Sequence, residues 1–308
     1  MIFVFLKLLK MFVKLRDWVD INKLDWSYLS SNFDAVELLK ENPNKIDWKR
    51  LAYNENILVI EMIKNNRNKI DWDILSQNPN AIELLKENPE RINWKLLSSN
   101  LNALKLLKEN PNKINWYNLS SNPNAIELLK ANPINICWDN LSYNDYAIEM
   151  LEENPEKINW KYLSFNENKK TIKLLEKNPD KIEWSYFSYN RKAIPVLEKN
   201  LHKINWAFLS SNPNAIKLIK ENPDKINWKY LSFNENAIEM IEENLEKINW
   251  KYLSSNPSIF TYDYQKIKKN FEELGEEIIA KALHPKRIFR LIEEYGEDEI
   301  YNIYFDDD

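Results

Sequence analysis

Two kinds of apolar cluster alternate along most of the chain, separated by polar punctuation. One is Trp-x-x-Leu, as at Trp72 and Leu75; the other is Ala-Ile-x-Leu-Leu, as at Ala81, Ile82, Leu84 and Leu85. Spacings of three and four put each cluster on one face of a helix. The punctuation agrees. Asp47 before Trp48 is a good N-cap, and Ile46 with Leu51 stands in the staple relation across it. The same cap position holds Asp25, Asp71, Asn93, Asn115, Asn159, Asn205, Asn227 and Asn249. The second helix opens at Asn78-Pro79, an Asn cap with proline at the first helical position, where its missing N–H costs nothing. It closes at Asn88-Pro89, because the residue before proline is pushed out of the helical region, and Pro89-Glu90-Arg91 turns into the next unit.

Tryptophan sets the period. From Trp26 through Trp48, Trp72, Trp94, Trp116, Trp138, Trp160, Trp184, Trp206 and Trp228 to Trp250 there are eight intervals of 22 residues and two of 24. Both longer units carry their extra residues at one place, around Asn56–Val59 and Asn168–Thr171, which marks a loop or helix start. Helices of about eight residues do not persist alone in water, so stability must come from stacking neighbours. The expectation is an all-α fold: an α-solenoid of two-helix repeats of about 22 residues, ten complete and an eleventh partial, with a helical C-terminal cap. At roughly 8–10 Å per layer, such a stack would make an elongated rod or arc up to about 100 Å long. A β-solenoid is the rival, and the capped helical spacing argues against it.

The domain boundaries expected are 1–20, an amphipathic N-terminal capping helix; 21–256, the tandem repeats; and 257–308, a helical C-terminal cap with an acidic tail. Lys7, Lys10 and Lys14 share one face of the first segment and interrupt what would be a signal-peptide core. A cap is expected there in preference to an interfacial membrane helix. After Trp250 the repeat loses its second half. Three helices are expected beyond it: near Tyr262–Asn270, near Glu276–Leu283, and from Pro285 to just before Gly296.

Composition removes function classes more readily than it assigns them. With 43 Lys+Arg against 47 Asp+Glu the net charge is −4, which argues against a protein built to hold phosphate backbones. Only two glycines exclude glycine-rich phosphate loops and nucleophile elbows. One cysteine and two histidines leave little for disulfide, metal or triad chemistry, so no cofactor and no enzymatic activity are expected. Cys137, in a cap position, and His284, before Pro285, are read as substitution drift and as a cap or packing residue.

The unit Asn-Pro-Asn-Ala-Ile-Glu-Leu-Leu-Lys-Glu-Asn-Pro-x-Lys-Ile-x-Trp-x-x-Leu-Ser resembles short repeats found in uncharacterised proteins of giant DNA viruses that infect amoebae. Ile259 to Tyr264 and Lys281 to Arg287 are similar to the endings of those proteins. The resemblance spans roughly residues 20–290. It implies a viral protein acting in the host cytoplasm or the virion, not secreted, and it carries no assigned activity or functional residue. Abundant Asn, Lys and Ile with scarce Gly fit an A+T-rich genome.

Four repeated columns are candidate sites. The tryptophans read as a buried, stacked core ladder rather than a platform for bases or sugars. Asn78, Asn122 and Asn212, just before proline, read as helix caps rather than as a peptide-binding ladder. The residue before the repeat isoleucine is basic at Lys45, Lys69, Arg91, Lys113, Lys157, Lys181, Lys203, Lys225 and Lys247, with Asn135 the exception. Helix-dipole compensation explains that column more simply than a phosphate-binding edge. Finally, the positions two and five after each Trp lie opposite the Trp/Leu face. They are rich in aromatic residues from Asn140 onward: Tyr143, Tyr162, Phe165, Tyr186, Tyr189, Phe208, Tyr230, Phe233 and Tyr252. Burial between repeats is the simpler reading. Docking of a protein partner is the functional one, because Tyr and Phe dominate interface hot spots. The expected function is therefore a monomeric, non-enzymatic scaffold or adaptor for a protein partner, and the alternative is a helical-repeat protein that binds RNA or DNA.

Overall fold

In the computed structural model, residues 13–269 are described. The all-α repeat fold is observed, and most units contain a third helical piece besides the two expected, absent after Ile57–Lys64 and after Ile238–Glu242. A one-turn α-helix starts at tryptophan (Trp72–Leu75), a second helix starts as a 3-10 turn and continues as α (Pro79–Ala81, then Ile82–Lys86), and a 3-10 turn follows (Pro89–Arg91). The caps are where the sequence puts them. Asp71 accepts the N–H of Ile74 and Asn78 that of Asn80. Asn88 leaves the helical region at φ −136°, ψ 59° and donates its side-chain amide to the carbonyl of Leu84. In the two 24-residue units the extra residues convert the 3-10 start into α, giving the eight-residue helices Ile57–Lys64 and Lys169–Glu176.

The core runs from unit to unit as columns of identical positions. The leucine three after each Trp is fully buried, as at Leu51, Leu75 and Leu97, with Phe187 in its place in one unit. Beside it lie a buried serine and a buried asparagine (Ser76 and Asn78 in one unit, Ser98 and Asn100 in the next). Among the described residues no helix is long and apolar enough to cross a membrane.

Two compact units are distinguished, residues 15–260 and the chain ends 1–14 with 261–308. The first departs from the expected open rod: it is a closed ring. Asn32, in the first repeat, donates its amide to the carbonyls of Ser254 and Asn256, in the last, as every other unit does to its predecessor. The N–H of Asp25 donates to Ser254 Oγ, and Tyr28 packs edge-on against Tyr252 at 5.9 Å. The reason lies in residues 20–25, Asp-Ile-Asn-Lys-Leu-Asp, which parallel 42–47, Asn-Pro-Asn-Lys-Ile-Asp. They form the same 3-10 turn (Ile21–Lys23), and Lys23 covers Trp250 as Lys45 covers Trp26. The eleventh unit is thus composite, its first half from the C-terminal side and its final turn from the N-terminal side. Each terminal repeat is covered by the other.

The cap expectations change accordingly. Val13–Leu15 is a strand, not part of a helix, and pairs with Phe260–Tyr262 in a two-stranded sheet. Next to it the N–H of Arg16 donates to Ile259 O, and its Nε to Ser258 O. Residues 264–269 are helical, as expected near Tyr262–Asn270. The expected helix before residue 13 and those near 276–283 and 285–295 lie outside the described residues.

Candidate interaction surface

Two hydrogen-bonded ladders hold the ring. In each of the eleven units the buried asparagine donates Nδ2 to two carbonyls of the preceding unit at 2.7–3.2 Å, and the eleventh link closes the circle. Capping by Oδ1, the sequence expectation, is therefore only half of this residue's role. The serine four after each Trp donates to that Trp carbonyl and accepts the N–H of the next unit's cap residue at 2.8–3.0 Å, in ten of eleven units. Ala52 occupies the eleventh place.

The tryptophans correct an expectation. They are half-buried rather than buried, and among the described residues no two Trp rings stack on each other. Instead, eight carry a Lys or Arg over the ring at 4.2–5.1 Å. Seven of these cations belong to the basic column and the eighth is Lys23. A tryptophan at the first helical position cannot turn its large ring inward past the leucine column, so a cation from the following turn covers its face. This explains the column more directly than the helix dipole does. Lys225 pairs with Asp224 instead, at 3.3 Å. Cys137 caps nothing with its side chain, although its N–H joins the serine ladder.

The aromatic positions divide by depth. Two after Trp, the residues Tyr162, Tyr186, Phe208, Tyr230 and Tyr252 are half-buried. Five after Trp, Tyr143, Tyr189 and Phe233 are exposed by 51%, 42% and 47%, and Phe165 is half-buried. The rings form two groups. In one, Phe165 stacks on Tyr186 at 4.1 Å and meets Tyr143 and Tyr189 edge-on. In the other, Phe208, Tyr230 and Tyr252 follow in series, Phe233 leans on Tyr252, and the line continues through the ring closure to Tyr28. Tyr162 joins neither group. The stripe is thus a packed inner row with exposed rings along its border.

A cavity of about 330 Å³ opens at that border beside Tyr143, Phe165 and Tyr189. Asp145, Tyr146, Glu167 and Arg191 also line it, and helical periodicity marks none of them. Their signal is a departure from the repeat. Where the units at Asn78, Asn122 and Asn212 read Asn-Pro-Asn, these three consecutive units read Asn144-Asp145-Tyr146, Asn166-Glu167-Asn168 and Asn190-Arg191-Lys192. Without proline the backbone N–H needs an acceptor. Asp145 Oδ1 takes that of Glu167 at 2.7 Å, and Glu167 Oε1 takes that of Arg191 at 3.1 Å. Burial, with the nearby charge of Glu167, pushes the Asp145 carboxyl above its usual 3.8. Burial, then Asp145, Tyr189 and Glu167, likewise raise the Tyr143 phenol above 10.0. At Asp47 burial also pushes upward, but the Ser27 hydroxyl, the N–H groups of Arg50 and Lys49 and the Arg50 charge together bring it below 3.8. Among the described residues no group of three or more His, Cys, Asp or Glu is placed to hold a metal ion.

No family model, no curated protein and no solved structure matches the chain.

Proposed function

We propose that the ring is a non-enzymatic scaffold that docks a protein partner along the aromatic border, between Tyr143 and Tyr252. The observation that carries this reading is the exposure of Tyr143, Tyr189 and Phe233 on a backbone cross-braced in every unit. Rigid exposed aromatic rings give contact area at small entropic cost, and hot spots concentrate on such residues. The Asn-Pro/Ile-x-Trp repeat, similar to those of amoeba-infecting giant viruses, supports a viral protein that works in the host cytoplasm or virion. The basic column gives little support to nucleic-acid binding, since seven of its nine cations already lie on tryptophan faces.

The test is a triple substitution of the exposed rings, Tyr143→Ser, Tyr189→Ser and Phe233→Ser, in protein purified from infected cells. The expected result is loss of a stoichiometric protein partner with a melting temperature within about 4 °C of wild type, because surface substitutions shift stability by only about 0.5 kcal/mol each. Undiminished recovery of the same partner, or a sequence-selective RNA complex at physiological salt, contradicts the proposal.

A further inference from the structure

We propose that the cavity framed by Tyr143, Tyr189, Asp145 and Glu167 receives a Lys or Arg side chain from a basic segment of the protein partner; this rests on the scaffold reading above. Lys and Arg side chains of the chain itself cover its aromatic faces repeatedly. Besides the eight tryptophans, Arg50 and Lys251 lie over Tyr28, Lys161 over Tyr186, and Lys229 over Tyr230 and Tyr252. Among the described residues no cation covers Tyr143, Tyr146, Phe165 or Tyr189, although Tyr143, Tyr146 and Tyr189 are exposed, Tyr146 by 70%.

The same place gathers two carboxylates without a cationic partner. Asp145 and Glu167 each hold a backbone N–H with one oxygen, which leaves the other oxygen of each for a guest. Neither forms an ion pair with a Lys or Arg among the described residues, Arg191 at the cavity's edge included. One positive charge against two negative leaves the cavity net negative. Burial of Asp145 beside Glu167 makes its ionised form costly, and an incoming cation relieves that cost. A guanidinium or ammonium between tyrosine faces and two carboxylates is attracted by both ring quadrupole and charge. The cavity opens onto the stripe and shares Tyr143 and Tyr189 with it, so the cation is expected on a peptide lying along the stripe.

The probe is an acetylated, amidated peptide Gly-Arg-Gly-Arg-Gly, compared with its citrulline counterpart of equal shape and no charge. Binding is followed by NMR titration of the full chain at about 0.15 M salt, which screens distant charges. The expected result is preference for the arginine peptide by about tenfold or more. Asp145→Asn with Glu167→Gln should abolish that preference, whereas Glu239→Gln with Glu242→Gln, which removes equal charge elsewhere, should keep it. Tyr143→Leu with Tyr189→Leu should weaken binding with the carboxylates intact. Asp145→Asn alone retains the oxygen that accepts the Glu167 N–H, so it serves if the double variant misfolds. Absence of preference, or its equal loss in the remote pair, overturns the proposal. If Asp145→Asn with Glu167→Gln recovers the partner fully while the exposed-ring variant does not, the stripe stands and the cationic guest falls. If the exposed-ring variant still recovers the partner, the scaffold reading falls and with it the partner's cation; an arginine preference retained in wild type then leaves the cavity as a cation site for another guest.

Discussion

Ser76, at 0% exposure, gives its hydroxyl hydrogen to the Trp72 carbonyl and takes the N–H of Asn93, so one small side chain ties two units. Ala52 is the single break in this series, and its neighbour Asp71 loses that acceptor. The other 24-residue unit shows that the longer spacing does not prevent the bond, since Ser164 Oγ accepts the Glu183 N–H at 3.0 Å. Ala52→Ser is therefore expected to stabilise the protein by about 0.5–1.5 kcal/mol, read as a raised denaturant midpoint with unchanged slope. A lower midpoint would mean that the site lacks room for the hydroxyl. Asp145 gives a prediction of opposite origin. Its carboxyl holds a proton more tightly folded than unfolded, so above pH 3.8 the folded state retains more of that proton than the unfolded state does, and stability falls as pH rises through the folded value. Asp145→Asn should melt higher than wild type at neutral pH. The gap should close below pH 3.8, where the carboxyl is neutral in both states; a gap independent of pH would place the effect in packing.

At the scale of the helices, the ring is built of pieces too short to stand alone. Trp72–Leu75 is one turn, and even Lys169–Glu176 is well short of the length that persists in water. Their boundaries were legible in the sequence because caps and prolines act locally: Asp before Trp, Asn-Pro before the second helix, Asn-Pro after it. Three features were not legible. The side-chain amide of the capping asparagine binds carbonyls of the preceding unit, partners that no local spacing rule names. The tryptophan ring lies half outside because the buried column is already filled by leucine, serine and asparagine, and a residue's period gives its face but not its depth. The lysines that cover these rings come from the next turn, about 19 residues away in sequence, beyond the reach of helical spacing rules. The cavity was legible only as a local departure, where three consecutive units place the charged residues Asp145, Glu167 and Arg191 at a position that holds proline in Pro79, Pro123 and Pro213.

For the ring as a whole, periodicity gave the repeat and its number but not its curvature. Small rotations between units accumulate, and whether the last unit meets the first is a property of their sum. One sequence clue did exist: residues 20–25 repeat a unit's closing turn with no unit before them. Closure gives every unit two neighbours, which removes the apolar ends that an open solenoid must cap. The most direct test is a distance between the chain's two sides of the seam. In a Cys137→Ser background, spin labels at Asn22→Cys and Lys251→Cys span the composite eleventh unit, and labels at Glu246→Cys and Lys229→Cys span the equivalent positions of the tenth. A closed ring predicts superimposable distance distributions for the two pairs. An open arc of ten or more layers, at roughly 8–10 Å each, would separate the first pair by far more than the second, and that result would contradict the account.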